Sequence, residues 1–170
     1  MFTIEMNNFQ TRQIKESDNA QLAAIIRNAF HDFNAPTAGT VYEDPTTDNL
    51  YNLFQKDGAV CWVAEDGGEV VGCCGIYPTA NLPGGCVELV KFYLAANARG
   101  KGIGRALMGK CIESAKQKGY DQIYIESLPQ FSTAVGMYKR MGFESISHPL
   151  GNSGHTGCNI WMVKKLDTLI

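Results

Sequence analysis

Seven consecutive residues, Arg99-Gly100-Lys101-Gly102-Ile103-Gly104-Arg105, combine glycine and positive charge in a spacing that can bind phosphate. The glycines allow the backbone to turn tightly and leave its N–H groups uncovered. The segment stands between an apolar strand pattern and an amphipathic helix pattern, and the first turn of a helix adds unpaired N–H donors and a partial positive charge. The two arginines and the lysine would neutralise a bound anion. The segment therefore predicts a site for a phosphate or a pyrophosphate.

Two other phosphate-binding loops do not fit these residues. A Walker A loop needs Ser or Thr after Gly-Lys to hold magnesium, and here Gly102 follows Lys101. A dinucleotide fingerprint needs a third glycine at the position of Arg105. A glycine-rich turn that binds no ligand is the plain alternative. The coincidence of glycines, cations and a strand–loop–helix setting argues against it.

The chain resembles the GNAT superfamily of N-acetyltransferases. The superfamily signature, Arg or Gln, two residues, Gly, one residue, then Gly or Ala, reads Arg99-Gly100-Lys101-Gly102-Ile103-Gly104 here. The likeness extends upstream through Val87–Leu94 and downstream through Tyr124–Leu128 to Tyr138–Phe143, in a Tyr-x-x-x-Gly-Phe pattern. From Thr11 to Pro78 the chain matches in layout only.

The resemblance implies a fold and a cosubstrate. It implies an α+β fold of three layers, α/β/α, whose mixed and largely antiparallel sheet is splayed between the strands near 86–94 and 122–128. Acetyl-CoA would bind in that opening, with its pyrophosphate on the glycine-rich loop and no metal. The backbone N–H groups of Phe92, Tyr93 and Leu94 would bind the pantetheine arm and the thioester oxygen. One N-acetyltransferase domain would span residues 1–170.

Glu88 is the candidate general base, because an amine must lose its proton before it attacks a thioester. It lies within an apolar strand segment, where partial loss of solvation would raise its pKa toward neutrality. Its offset from the loop matches the general base of some GNAT members. Glu88 could instead form an ion pair or face solvent, and Glu126 is the rival carboxylate on the neighbouring strand.

Tyr138 is the candidate general acid, by its place in the Tyr-x-x-x-Gly-Phe pattern. A phenol is protonated at neutral pH and could give a proton to the departing thiolate. Tyr138 shares a helix face with Ala134, Met137 and Met141, so a tyrosine that only packs is the alternative. Many GNAT members carry Asn seven residues earlier, where this chain has Phe131, so one side-chain contact to coenzyme A is expected to be missing.

A covalent route through Cys86 is the alternative mechanism. Cys86 precedes Glu88 by two residues and so lies on the same strand face. A nucleophilic cysteine needs a base or cation that lowers its pKa, and the sequence places no histidine beside it. Direct attack of the amine in a ternary complex is therefore favoured.

The acceptor is less well specified than the donor. In the resemblance its selection falls to the first helices and to three loops, 31–44, 79–85 and 147–157. These loops carry side chains that could receive a cationic or polar amine: Asp32, Tyr42, Asp44 and His155. A small-molecule amine is favoured over a protein or peptide acceptor and over a coenzyme A-binding domain without turnover. The oligomeric state stays open, with a homodimer possible.

Composition excludes several other classes. The 170 residues, 45% hydrophobic, suit one domain with a full core. A formal charge of −2 and a pI of about 5.9 argue against a nucleic-acid partner. No membrane span is expected, and Met1–Asn8 lacks the apolar run of a signal peptide. The six cysteines suit a reducing, cytoplasmic location, and the histidines do not group with them as zinc ligands.

Hydrophobic periodicity and turn residues predict the elements that position these groups. Strands are predicted at 11–14, 60–64, 70–77, 87–94, 122–128 and 159–166. Helices are predicted after an N-cap at Ser17-Asp18 through Phe30, after Thr46 or Thr47 through Leu53, over Gly102–Lys118, and from Ser132 or Thr133 to Gly142. Glu65-Asp66-Gly67-Gly68 predicts a hairpin turn, and Gly119 a left-handed helix cap.

Overall fold

A computed structural model describes residues 8–167, which form a seven-stranded mixed sheet with helices on both faces. The strands are β1 (Phe9–Gln13), β2 (Val60–Asp66), β3 (Glu69–Tyr77), β4 (Cys86–Leu94), β5 (Gln122–Ser127), β6 (Glu144–Ile146) and β7 (Ile160–Lys165). The helices are α1 (Asn19–Asp32), α2 (Leu50–Leu53), α3 (Ile103–Gln117) and α4 (Ser132–Arg140). Residues 1–7, where no signal peptide is expected, lie outside the described residues, as do 168–170.

The sheet runs in the spatial order β1-β2-β3-β4-β5-β7-β6, and its neighbours are antiparallel except for β4 and β5. The parallel pairing of β4 and β5 covers Cys86 to Glu88 on one strand and Gln122 to Tyr124 on the other. Beyond Glu88 the ladder between these two strands stops. The predicted mixed sheet, splayed between these strands, is confirmed.

Two hydrophobic clusters, one on each face of the sheet, make the three layers. The α1 side buries Leu22, Ile26 and Phe30 against Cys73, whereas the α3 and α4 side packs on Cys74. Successive residues of a strand point to opposite faces, so the neighbouring cysteines of β3 belong to different clusters. The predicted α/β/α layering is confirmed.

Periodicity predicted the buried face of α3 correctly. Its buried residues recur at helical spacing: Ile103, Leu107, Met108, Cys111 and Ala115. The helix ends at Gln117, and Gly119 follows with φ +85°, as the predicted left-handed cap requires. Since α3 packs on the sheet through this face, its first turn is held at the end of β4.

Three local predictions need correction. The hairpin turn consists of Gly67 and Gly68 alone, because two left-handed glycines allow β2 and β3 to pair as far as Asp66 and Glu69. Asp44, not a threonine, caps the turn before α2 by accepting the Thr46 N–H at 2.9 Å. The third correction concerns the start of α1.

Asp18 occupies the N-cap position of α1 without capping it. Its carboxylate accepts the Lys15 N–H at 2.8 Å and two hydrogen bonds from the Arg12 guanidinium at 2.8 and 2.9 Å. A 3-10 turn over Glu16–Asp18 leads into the helix, and no side-chain hydrogen bond caps its first turn. The Arg12–Asp18 ion pair instead ties β1 to the start of α1.

One short strand was not predicted. Three residues, Glu144–Ile146, form β6 and pair with β7 at the sheet edge. Such a segment is too short for a period-2 pattern to stand out. Among residues 8–167, no helix has the length and apolarity that a bilayer crossing needs.

Candidate active site

Gly100 and Gly102 give the glycine-rich loop its shape. Their φ angles are +77° and +81°, in the left-handed region that side chains rarely adopt. A Cβ atom at either position would meet no heavy atom within 4 Å. The Ala106 N–H donates to Gly102 O at 3.1 Å, so the N–H groups of residues 103–105 have no acceptor within α3. The loop and the helix start therefore present backbone donors to an open space that suits phosphate oxygens.

The next two residues of the motif contribute packing. A Cβ atom on Gly104 would lie 3.0 Å from Phe92 Cζ and 3.4 Å from Leu94 Cδ1. The absence of a side chain therefore lets α3 approach the end of β4 closely. The side chain of Ile103 is buried in the core, so it contributes packing and not a contact to a ligand.

Arg99 fixes the loop to its surroundings. Its Nη2 atom donates to Leu94 O at 3.0 Å and to Asp32 Oδ2 at 3.1 Å. The guanidinium carbon lies 4.5 Å from the ring centroid of Phe33. Arg99 thus joins the end of β4 to the end of α1, and part of its charge is already matched by a carboxylate.

The other two cations of the motif differ in placement. Lys101 turns away toward Asp66, with Nζ 3.5 Å from Oδ2 in a largely exposed ion pair. Arg105 lies exposed on the first turn of α3 and lines the space in front of the loop. Of the three predicted neutralising side chains, the structure brings Arg99 and Arg105 to this space and directs Lys101 elsewhere.

A groove of about 450 Å³, here called the loop groove, extends from the glycine-rich loop along the end of β4 to α4. Gly102 and Arg105 line one end, and Leu94, Ala134 and Met137 line the apolar remainder. One end therefore suits an anion and the rest a slender, less polar chain.

Phe131, which stands where the resemblance expects Asn, belongs to an aromatic cluster beside the loop groove. Its ring centroid lies 5.2 Å from that of Phe30, 5.6 Å from Phe33 and 5.9 Å from Tyr93, in edge-to-face contacts. The side-chain amide expected of a GNAT member is thus replaced by an apolar wall.

A β-bulge in β4 marks the point where the sheet opens. Val90 pairs with Gly75 and Tyr93 with Cys73, so Lys91 and Phe92 stand opposite one residue of β3. Lys91 has φ +56°, which is rare for a residue with a side chain. Because the β5 ladder has already stopped at Glu88, the edge of β4 between Leu89 and Leu94 faces the opening.

A second, narrower pocket of about 80 Å³ lies in this opening and is here called the wedge pocket. Glu88, Lys91, Glu126, Tyr138 and His155 contribute to its lining. It shares four lining residues with the loop groove: Phe92, Tyr93, Phe131 and Ala134. The two spaces therefore meet at the end of β4.

Glu88 is almost completely buried, with 3% of its surface exposed. Burial raises the pKa of Glu88 to about 8, and the negative charge of Glu126 acts in the same direction. The Thr79 hydroxyl donates to Glu88 Oε1 at 3.1 Å and, with the nearby Lys91 charge, opposes that rise in pKa. Glu88 is therefore a carboxyl group that exchanges its proton near neutral pH.

Glu126 is held by hydroxyl groups. Tyr124 donates to its Oε2 atom at 2.7 Å, and Ser153 donates to Oε1. Both oxygens thus already accept hydrogen bonds, which leaves this carboxylate less free than Glu88 to take a proton from a substrate. Its charge still acts on Glu88.

Asp44, Lys91 and His155 form a second polar cluster at the wedge pocket, which Lys91 and His155 line. His155 Nε2 lies 2.8 Å from Asp44 Oδ2, and Lys91 Nζ lies 3.7 Å from the same oxygen. Burial acts to raise the pKa of Asp44, but hydrogen bonds from His155 and Thr46 and the Lys91 charge hold it at about 2. Asp44 is thus a permanent carboxylate that joins the loop before α2 to β4 and to the loop before β7.

Tyr138 lies on α4 at the floor of the wedge pocket, with 5% of its surface exposed. Its ring centroid is 6.1 Å from that of Phe92 and 5.8 Å from that of Phe143. Burial raises the pKa of Tyr138 above that of a free phenol, so the hydroxyl keeps its proton at neutral pH. The ring packs while the residue still borders the pocket, so both sequence-based interpretations retain support.

The cysteines are poor nucleophiles. All six are free thiols, and burial raises the pKa of Cys86 to about 11 and that of Cys158, which borders the wedge pocket, to about 12. Within residues 8–167 no group of three or more potential ligands could hold a metal ion. Residues 8–167 therefore contain neither a cysteine suited to act as a thiolate nor a cluster of metal ligands.

Sequence reasoning missed two side chains around the pocket, Lys91 and Thr79, and the contact between two others. Lys91 reads as one exposed residue of an alternating strand, and nothing in the sequence signals a bulge that buries it. Thr79 stands next to a proline in a turn, without a pattern. Asp44 and His155 were noted as polar loop residues, but their pairing across 111 positions was not predicted.

Comparison with known proteins agrees with this geometry. The model of the acetyltransferase (GNAT) family matches residues 26–143. An uncharacterized N-acetyltransferase of Escherichia coli (strain K12), YjgM, is 33% identical over 156 residues, which cover 91% of this chain and 93% of that protein. N-acetyltransferase 8B of Rattus norvegicus is 37% identical over 89 residues, covering 51% of this chain and 40% of that longer protein.

Solved structures share the fold. A GNAT acetyltransferase from Staphylococcus aureus Mu50 superposes with a TM-score of 0.83 at 21% identity, over 94% of this chain and 99% of that one. YncA of Salmonella typhimurium, solved with acetyl-CoA, superposes with a TM-score of 0.75 at 21% identity, over 94% of this chain and 95% of that one.

Proposed function

This chain belongs to the acetyltransferase (GNAT) family, and on that premise we propose that it transfers an acetyl group from acetyl-CoA to the amine of a small molecule. The amine attacks directly in a ternary complex. The Salmonella protein of the same fold binds acetyl-CoA, which supports the same donor here.

The meeting of the loop groove and the wedge pocket carries this proposal. A ligand that enters along the loop groove reaches Phe92 and Tyr93, where the wedge pocket begins. Glu88 lines the wedge pocket on the same strand. Donor and acceptor can therefore approach from two sides of β4 and meet beside a buried carboxyl group, as proximity catalysis requires.

The residues at the loop fit a diphosphate. The open space in front of Gly100 and Gly102, which a side chain would fill, faces the free N–H groups of residues 103–105. Arg99 and Arg105 border the same space and add positive charge. When bound, acetyl-CoA supplies an acyl group already activated as a thioester. The loop holds its diphosphate and so positions the molecule in the groove.

Glu88 removes the proton from the acceptor amine, directly or through one water molecule. A carboxyl group with a pKa of about 8 matches that task better than an exposed one, because a base works best when its pKa lies near the operating pH. The Thr79 hydroxyl orients the carboxyl group through Oε1 and leaves Oε2 to the pocket. Glu126 is less suited, because both of its oxygens accept hydroxyl donors.

Backbone and Tyr138 serve the other end of the reaction. Near Phe92–Leu94, β4 no longer pairs with β5, and this open edge provides N–H donors for the thioester oxygen, on which negative charge develops. Tyr138 holds its proton at neutral pH and donates it to the departing sulfur. A covalent route is disfavoured, because Cys86 and Cys158 would have to ionise at thiol pKa values of about 11 and about 12. Free thiols suit a reducing compartment and support the cytoplasm as the location.

The test is release of coenzyme A from acetyl-CoA by the purified chain with a panel of small amines and of peptides with free amino groups. Turnover of small amines, with initial-rate lines that intersect, supports direct transfer to a small molecule. Turnover of peptides alone would assign a peptide acceptor. Tight acetyl-CoA binding without release by any amine would make the chain a non-catalytic binding domain.

A further inference from the structure

Lys91 carries a nearly buried ammonium group that the protein pairs only loosely, at ion-pair distance from Asp44. Its side chain is 3% exposed, and its Nζ atom lies 3.7 Å from Asp44 Oδ2, which is too long for an ordinary hydrogen bond. The Asp44 contact can use one of the three N–H donors of this ammonium. Lys91 lines the wedge pocket, so its other donors have access to whatever enters there.

Asp44 does not meet this need, because it is already engaged. Its Oδ1 atom accepts the Thr46 N–H at 2.9 Å and the Thr46 hydroxyl at 2.7 Å, and its Oδ2 atom has His155 Nε2 at 2.8 Å. A buried lysine costs free energy unless its charge and its donors are matched. The arrangement therefore leaves room for a further anionic oxygen next to Lys91.

We infer that the wedge pocket takes an acceptor whose amine stands next to a carboxylate, a small α-amino acid, and that Lys91 binds that carboxylate. This inference rests on the proposed acetyl transfer and names its substrate class. Lys91 is then a specificity-determining residue.

The charges around the pocket favour a zwitterion. Glu88 and Glu126 line the pocket, and the amine must lie beside Glu88 for its proton to be taken. Lys91 and His155 line the pocket as well, and both contact Asp44. A bare alkylamine would bring no acceptor for the remaining Lys91 donors, and the first residue of a peptide would offer them only a neutral carbonyl. A carboxylate supplies a charge-assisted hydrogen bond.

The size of the pocket agrees with this assignment. The wedge pocket, with a volume of about 80 Å³, is narrow beside the loop groove of about 450 Å³. An acceptor with its amine and its carboxylate on one carbon atom suits such a space better than a long chain does.

The test compares each amino acid with the amine left when its carboxylate is replaced by hydrogen. Glycine is paired with methylamine, alanine with ethylamine and serine with ethanolamine, and alaninamide supplies the neutral carbonyl. Coenzyme A release gives kcat/KM, expressed per unprotonated amine. In the wild-type protein at least one amino acid should exceed its paired amine by about 10- to 100-fold, which is the range of a hydrogen bond to a charged group. Alaninamide should behave like ethylamine.

Lys91→Met removes the ammonium and keeps an unbranched side chain of similar length. We expect the ratio of amino acid to amine to fall close to one, mainly through a higher KM for the amino acid. Lys165→Met, a change of an exposed lysine on β7, should retain the wild-type ratio. Acetyl-CoA binding by each variant checks that it is folded.

Equal rates for every pair, or a Lys91→Met variant in which both members of a pair fall by the same factor, would overturn the inference. Alaninamide turned over as fast as alanine would also overturn it and would indicate a peptide end. The wild-type comparison decides even if Lys91→Met does not fold. Turnover of other amines but of none of the amino acids would sink this inference alone. Failure of every amine to release coenzyme A would instead refute the proposed function.

Discussion

The loop groove and the wedge pocket are built by different means. The anion end of the loop groove depends on the backbone of seven consecutive residues, with two left-handed glycines and the free N–H groups of α3. The wedge pocket depends on side chains that are distant in the sequence, from Asp44 to His155. Backbone donors recognise a group that many proteins bind, whereas the side chains can change one at a time. Donor recognition and acceptor choice can therefore vary independently.

Glu88→Gln should give the largest difference between an effect on the wedge pocket and an effect on the loop groove. Loss of the general base should lower kcat by about 100- to 10,000-fold, while acetyl-CoA affinity stays near that of the wild type. Initial rates and acetyl-CoA titration measure the two quantities. Glu113→Gln on the exposed face of α3 is the matched control. A larger loss in Glu126→Gln than in Glu88→Gln would exchange the roles of the two carboxylates.

The same Glu88→Gln variant should be the more stable protein at high pH. The Glu88 pKa is raised from 4.5 to about 8 in the folded state, so between these values the folded protein holds a proton that the unfolded chain releases. The contribution of Glu88 to the free energy of unfolding of the wild-type protein thus falls as the pH rises, by roughly 1.4 kcal/mol per pH unit over that window. Urea unfolding on both sides of the window measures this slope, which should be lost in the variant. Equal slopes would mean that Glu88 is solvated.

Gly102→Glu should damage the loop groove and leave the wedge pocket intact. The new side chain strains a backbone with φ +81° and places a negative charge where the phosphate binds, so acetyl-CoA affinity should fall by about 100-fold or more. Calorimetric titration measures this affinity. Gly119→Glu is the control at the other end of α3, with φ +85° and the same open surroundings. Equal affinity in the two variants would remove the loop from the donor site.

Tyr138→Phe tests the region shared by both spaces. The rate of transfer should fall by about 10-fold, which is less than general acid catalysis usually contributes. A small effect is expected because a thiolate is a good leaving group even without protonation. Thermal unfolding should change little, since the ring remains. Tyr120→Phe, which removes a hydroxyl that donates to Gly58 O at 3.0 Å, controls for the loss of a phenol elsewhere. Full activity of Tyr138→Phe would leave this residue a packing role.

The smallest effect is expected for Thr79→Val. In the wild-type protein the hydrogen bond from Thr79 lowers the pKa of Glu88. Valine cannot donate this hydrogen bond, so the pKa of Glu88 should rise further in the variant. The acidic limb of the rate profile should move to higher pH by about half a unit. Thr11→Val on β1 is the matched change far from the site. A limb that does not move would indicate that Glu88 does not control it.

The sequence predicted what local patterns specify. Glycine spacing predicted the loop, and hydrophobic periodicity predicted α3 and the main strands, because each of these patterns lies within one or two elements. The three layers and the splayed sheet were implied by the resemblance to the GNAT superfamily. Strand ends were less well predicted, as β2 shows, since pairing continued until Gly67 and Gly68 turned the chain. β6 carries only three residues and gave no pattern.

The acceptor side was only partly predictable, since it depends on contacts across the fold. The elevated pKa of Glu88 was expected from the apolar strand around it. The burial of Lys91 was not, because it follows from a bulge and a left-handed φ of +56°. The pairing of Lys101 with Asp66 was not predicted either, since only the fold places these two residues within reach of each other. Such pairings depend on tertiary distances that spacing along the chain does not encode.

Because its thiols are buried, the folded protein should react only slowly with disulfide reagents. Five of the six cysteines are buried, and Cys158 is half-buried at the edge of the wedge pocket. A chromogenic disulfide should therefore react with newly released coenzyme A much faster than with the enzyme, which permits continuous recording without cysteine replacement. Slow labelling of Cys158 by the same reagent would then report whether an acceptor occupies its binding place.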